Sequence, residues 1–217
     1  MQNLSCLHLE AKEKEPKKLA VAVHGFGASA VDLFGLARNI ANALPDTYFI
    51  LPNAPNACRA NPEGFEWFDL SSTTEESMLR GLKQATIALN VTIDHHLQKL
   101  SFKQNQLIFI GFSQGAMLSM HAGLRRKGGC RAIVSFSGAL VGGAELLKEE
   151  ISSRPKICLI HGKQDEVVPF SALKISQEKL QQNNVAAETF ALDNLGHCIS
   201  QQGIEIAIDF LRRSANT

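Results

Sequence analysis

No C-x-x-C pair occurs anywhere in this chain, which argues against a structural zinc site or a dithiol redox pair. The five cysteines (Cys6, Cys58, Cys130, Cys158 and Cys198) are odd in number and scattered. That usage fits a reducing compartment better than a disulfide framework. An excess of one charge is also missing. Lys plus Arg number 22 and Asp plus Glu number 21, for a formal charge of +1, so the chain carries no electrostatic footprint for nucleic acid or anionic lipid. Gly at 16 and Pro at 7 are too few for a collagenous or low-complexity chain. Residues 1–10 lack the basic start and long apolar stretch of an export signal, and Leu4-Ser5-Cys6 is only a faint lipoprotein cleavage pattern. The longest uncharged stretch, residues 104–124, is interrupted by Gln, Asn, Ser, His and Gly, groups that a bilayer disfavours. The expectation is a cytoplasmic protein with no stable membrane insertion and no nucleic-acid partner.

What is present is an apolar fraction of 45% beside a charged fraction of 20% over 217 residues, enough for a sizeable core. Strand patterns at residues 19–24, 47–51, 106–112, 132–137, 156–161 and 186–191 alternate with helix patterns at 31–44, 74–100, 114–127, 144–150, 171–183 and 201–213. Several strands are apolar nearly throughout (LAVAV, LIFIGF, AIVSF), as strands covered on both faces must be. This predicts one doubly wound α/β domain over residues 1–217: a mostly parallel sheet with helices on both faces, no large cap, and a poorly specified arm at residues 1–18. Thr73-x-x-Glu76 has capping-box spacing at the head of the long helix. Residues 52–70 break the rhythm with three prolines, three asparagines and the only tryptophan, and a loop of that length inside a compact domain points to function.

The sharpest local signal is Gly111-Phe112-Ser113-Gln114-Gly115, between an apolar strand and an Ala/Met/Leu-rich helix. That is the setting of a nucleophile elbow, where small neighbours let a serine hydroxyl project above the sheet. An alcohol needs a base. Of seven histidines, His197 lies in the loop between the last strand and the last helix, where this topology returns to the strand ends. His24 and His161 end strands and read as structural, bonding loop backbone beneath the site. His95 and His96 read as solvated on the long helix, and His121 as buried or facing away. The imidazole needs a carboxylate partner. Asp165 follows the fifth strand pattern, ahead of Val167-Val168-Pro169, with Glu166 and Asp193 as competitors. The oxyanion donors would be the backbone N–H of Gln114 and of Phe26 in His24-Gly25-Phe26-Gly27. The same Gly-x-Gly is a poor dinucleotide loop, because Ala30 stands where the third glycine belongs and Asp46 precedes its strand. No cofactor and no metal are expected.

Taken together, His24-Gly25-Phe26-Gly27, Pro52-Asn53-Ala54-Pro55 leading to Trp67-Phe68-Asp69, the Gly111–Gly115 elbow, His161-Gly162 with Asp165 and Val168-Pro169, and Gly196-His197 resemble the phospholipase/carboxylesterase (acyl-protein thioesterase-like) group of α/β-hydrolases. The resemblance spans nearly the whole chain. It implies a cofactor-free serine hydrolase acting on carboxylic esters or thioesters, with short-chain esters, lysophospholipids or acylated protein cysteines as substrate classes. Relatives often carry an acidic residue where this chain has Ala28, which bears on substrate preference and not on the catalytic set. Phe65 and Trp67, with Val168, are expected near the acyl site, although Trp67 equally suits packing the loop onto the core. With no cap insertion the site should be shallow and favour short and medium acyl chains. A serine peptidase or acyltransferase on the same residues is the alternative enzyme, and a non-catalytic binding protein of the same fold is the alternative class. A small-molecule ester or thioester is the expected partner, to a monomer or homodimer. Cys198 is expected to be inert.

Overall fold

The computed structural model of the protein describes residues 3–143 and 150–214. Of the helix expected at 144–150, residues 144–149 lie outside the described residues. Seven strands form the main sheet: β1 (Cys6–Leu9), β2 (Lys18–Val23), β3 (Thr47–Pro52), β6 (Leu107–Phe112), β7 (Ala132–Phe136), β8 (Lys156–Gly162) and β9 (Ala187–Leu192). Their order is β1-β3-β2-β6-β7-β8-β9, parallel except for β1. The helices are α1 (Phe34–Ala43), preceded by a 3-10 turn at Ala30–Leu33, then α2 (Glu75–Lys99), α3 (Gln114–Arg125), α4 (Ser171–Gln182) and α5 (Gln201–Ser214). A small hairpin, β4 (Asn56–Ala57) with β5 (Phe65–Glu66), lies in the irregular segment.

The apolar strands sort their side chains by the period-two rule. Leu19, Val21 and Val23 of β2 join Phe109 of β6 on the face covered by α2, α3 and α4. Ala20 and Ala22 join Ile108 and Ile110 on the face covered by α1 and α5. Both faces are therefore buried, as the unbroken apolar runs required. The long helix α2 starts one residue later than its capping pattern suggested. Thr74, with an extended backbone, is the N-cap and accepts from the Ser77 amide at 3.4 Å.

Two features depart from expectation, and a third, the burial of His121, follows it. The N-terminal arm contributes an edge strand, β1, antiparallel to β3 with Leu7 opposite Leu51, and Leu4 N–H donates to Thr92 Oγ1 of α2 at 2.9 Å. His96 is not solvated: it is buried against the arm, its ring centroid 5.2 Å from that of His8. His121 is buried with Nδ1 3.0 Å from Thr86 Oγ1, and burial pushes its pKa down to about 3, so it is neutral at ordinary pH. No helix among the described residues is long and apolar enough to cross a membrane.

The topology sets the site. From β2 the chain moves outward to β3, then crosses back to β6 on the other side of β2. At such a reversal the loops leaving the carboxyl ends of the two central strands diverge and open a crevice. Those loops carry His24–Gly27 and Ser113.

Candidate active site

Ser113 sits between β6 and α3 with φ +54° and ψ −118°, a conformation that costs a non-glycine residue about 1–3 kcal/mol. The turn is held from below by the Ser113 amide, which donates to the Phe136 carbonyl at 2.9 Å. Gly115 makes it possible, because a Cβ there would lie 2.1 Å from the Val23 carbonyl oxygen. The result is a hydroxyl at the positive end of α3, aimed into the crevice.

Asp165 and His197 come from the loops after β8 and β9. Asp165 Oδ1 accepts the amides of Val167 at 3.0 Å and Val168 at 2.9 Å, and its side chain is fully shielded from solvent. Its Oδ2 lies 2.8 Å from His197 Nδ1, and His197 Nε2 lies 2.9 Å from Ser113 Oγ. The network assigns the proton to Nδ1, so Nδ1–H donates to Asp165 and Nε2 accepts from the Ser113 hydroxyl. Burial works to raise the Asp165 carboxyl, but the hydrogen bond from His197, the Val168 amide, the His197 charge and the Val167 amide outweigh it. Its pKa lies below the usual aspartate value. Neither competing carboxylate enters this network: Asp193 pairs instead with Lys163 at 2.7 Å.

The two loops are tied to each other by contacts that no motif announces. Gln164 N–H donates to the Leu195 carbonyl at 2.9 Å, and the Leu195 amide donates to Gln164 Oε1 at 3.0 Å. Gly162 lets them close, since a Cβ there would lie 2.2 Å from the Leu195 oxygen. His161 Nε2–H donates to the Val168 carbonyl at 2.9 Å and lies 3.3 Å from Asp165 Oδ2. His24 Nδ1–H donates to the Gly25 carbonyl at 2.7 Å, while Nε2 accepts the Ala54 amide at 3.0 Å. Both histidines bond loop backbone, as expected of them, and burial, the largest influence on His24, lowers its pKa against the Gly25 bond and the Asp32 charge.

Ser113 and His197 open on a cavity of about 480 Å³ whose apolar wall includes Leu70, Met78, Met117 and Val168. Phe26 and Gln114 border it, and neither backbone N–H donates to any described residue. Trp67 and Phe65 do not line this cavity. Trp67 is 2% exposed and its Nε1–H donates to the His24 carbonyl at 2.9 Å, so it packs the irregular segment onto the core. Phe65 acts through its backbone, exchanging 2.9 Å hydrogen bonds with Gly27 N and Ala28 O. Cys198 is exposed and unpaired in any disulfide. Among the described residues no group of three or more His, Cys, Asp or Glu side chains is placed to hold a metal ion.

The Gln114 side chain bridges the elbow to the irregular segment. It is 1% exposed, accepts the Trp67 amide at 3.0 Å through Oε1 and donates to the Phe68 carbonyl at 2.7 Å through Nε2. Gln114→Leu leaves both backbone groups buried and unpaired, at about 1–3 kcal/mol each. The expected result in a thermal melt is a midpoint lowered by about 5–15 °C; an unchanged midpoint would show that the bridge bears no load.

The phospholipase/carboxylesterase family matches residues 4–215. In the solved structure of esterase PE8, 36% identical, the fold superposes with a TM-score of 0.92 over 98% of this chain and 99% of that one. Esterase YpfH of Escherichia coli (strain K12) is 24% identical over 204 residues, 94% of this chain and 86% of its own. Acyl-protein thioesterase 1 of Aspergillus fumigatus is 27% identical over 220 residues, 92% of this chain and 89% of its own.

Proposed function

This chain belongs to the phospholipase/carboxylesterase family and is a hydrolase of the carboxylesterase and thioesterase class; from that premise we propose that Ser113, His197 and Asp165 carry the reaction on a short- or medium-chain acyl ester or thioester. The observation that supports this most directly is the unbroken line of contacts, 2.9 Å from Ser113 Oγ to His197 Nε2 and 2.8 Å from Nδ1 to Asp165, at the mouth of an apolar cavity.

In the first half-reaction His197 Nε2 takes the hydroxyl proton as Ser113 Oγ attacks the acyl carbonyl, and Asp165 stabilises the imidazolium that forms. The N–H groups of Phe26 and Gln114 receive the negative oxygen, each worth about 10²–10³ in rate. His197 then hands its proton to the leaving oxygen or sulfur as its bond to the acyl carbon breaks, and the group departs as alcohol or thiol. Water, deprotonated by the same imidazole, releases the acid and restores Ser113. The acyl chain lies along Leu70, Met78 and Met117. Thioesters share the acyl half with esters, and the acyl-protein thioesterases among the relatives support including them. We further read the chain as one catalytic domain acting in the cytoplasm on a small-molecule substrate, as a monomer or homodimer.

A fluorophosphonate probe is expected to label Ser113 and to fail on Ser113→Ala; labelling of any other residue would defeat the assignment. Against p-nitrophenyl esters, kcat/KM should rise about fourfold per added methylene, the worth of roughly 0.8 kcal/mol of burial. It should then level off once the cavity is filled, at medium chain length. A rise continuing through palmitate would contradict the proposed size limit.

A further inference from the structure

Phe112, the last residue of β6, stands directly before Ser113. Strand alternation puts its side chain on the same face as Ile108 and Ile110, and it packs against the core under α1 and α5 only in part. The ring also borders the cavity that holds Ser113. There it meets His197: the two ring centroids lie 4.9 Å apart with the planes tilted by 41°, nearer to stacking than to an edge-on contact. Gly25 leaves room for it, since a Cβ there would lie 3.2 Å from Phe112 Cδ1. One side chain thus touches both the His24–Gly27 loop and the imidazole.

His197 is fixed along one line by its bonds to Asp165 at 2.8 Å and to Ser113 at 2.9 Å. Those bonds resist sliding along the line but hold rotation about it less firmly, and a ring packed on the imidazole blocks that rotation. The contact also bears on charge. Both half-reactions pass through an imidazolium, and an aromatic ring attracts a cation within about 6 Å of its centroid. The neutral imidazole of the resting site gains less, so the contact favours the transition state over the ground state. We propose that Phe112 is a positioning residue of the hydrolytic site, whose ring holds His197 in line between Asp165 and Ser113 and stabilises the imidazolium formed in each half-reaction. The inference rests on the reading of those three residues as the reacting set. It makes the strand that presents the nucleophile also the support of the base.

Phe112→Leu, apolar but without a π face, should lower kcat for p-nitrophenyl acetate about tenfold, within the roughly 2- to 30-fold worth of such a contact, and change KM by less than about twofold. The same factor should appear with the hexanoate ester, because the acyl chain takes no part in holding His197. Phe112→Tyr, which restores the ring, should keep at least about half of the wild-type kcat. Rates are taken per folded protein by circular dichroism, and Phe112→Met, a longer and more adaptable side chain, stands in for a Phe112→Leu protein that does not fold, with the same expectation. The proposal is overturned by a kcat within about twofold of wild type in the ring-free variant. It is equally overturned by a loss confined to KM that grows with chain length, as a mere wall residue would give, or by a Phe112→Tyr protein as slow as Phe112→Leu. Ser113→Ala separates the two levels of the argument. Activity retained in Ser113→Ala defeats the reacting set and this proposal with it, whereas an inactive Ser113→Ala beside a fully active Phe112→Leu defeats the role of Phe112 alone.

Discussion

Ser113→Ala is expected to lower kcat/KM for a p-nitrophenyl ester by about 10⁴–10⁶-fold. The change deletes a single oxygen, one that touches His197 Nε2 at 2.9 Å and borders the acyl cavity, so the loss falls on turnover and not on the core. The companion variant Ser113→Gly should be equally inactive yet more stable. With φ +54° and ψ −118° the backbone sits where only glycine is at ease. Relief of that strain, less the extra freedom of the unfolded chain, leaves about 1 kcal/mol, or roughly 2–4 °C in the melting midpoint of a chain of this size. Calorimetry with the activity assay checks both statements. An alanine variant that kept more than about a hundredth of the activity would remove Ser113 from the chemistry.

Asp165→Asn should cost about 10⁴-fold in kcat through the identity of a proton. The amide oxygen still accepts the Val167 and Val168 amides, so the loop keeps its shape. The amide nitrogen then faces His197 Nδ1 and drives the ring proton to Nε2, which must donate to Ser113 Oγ instead of accepting from it. Stability should follow pH in a defined sense. The Asp165 pKa is depressed in the folded protein, so its stabilising contribution is complete above the unfolded value of about 3.9 and disappears as pH falls through the lower folded value. The gap in urea midpoint between wild type and Asp165→Asn should therefore close only in strong acid. A gap that closes above about pH 5 would contradict the shielding of the carboxylate.

The parts of the molecule legible in the sequence are those governed by short-range rules. The apolar runs of β2, β6, β7 and β8 announce strands covered on both faces, and glycines two before and two after Ser113 announce the sharp turn. His197 and Asp165, which the fold brings to Ser113, each follow a single strand-to-loop exit. What stayed hidden depends on partners distant in sequence. β1 is four residues long beside a charged run, and only its pairing with β3 makes it a strand. His96 reads as solvated because the arm residue that packs on it, His8, lies 88 residues earlier in the chain. As aromatic residues in a long loop, Trp67 and Phe65 suit the acyl site, and Trp67 suits packing onto the core equally well. Their directions are set instead by hydrogen bonds to His24 O, and to Gly27 and Ala28, more than 35 residues away in sequence. The Gln164–Leu195 clasp, which holds acid and base loops together, has no spacing signature at all.

The irregular excursion between β3 and α2 grips the catalytic crevice at two points. Phe65 pairs with Gly27 and Ala28 beside Phe26, while Trp67 and Phe68 clasp the side chain of Gln114, and these are the two residues proposed as oxyanion donors. The alignment of the two proposed donors would thus be inherited from a surface detour and not from the sheet. If that detour peels away, both donors lose their aim in one event, so on warming the enzyme should fall silent before its scaffold melts.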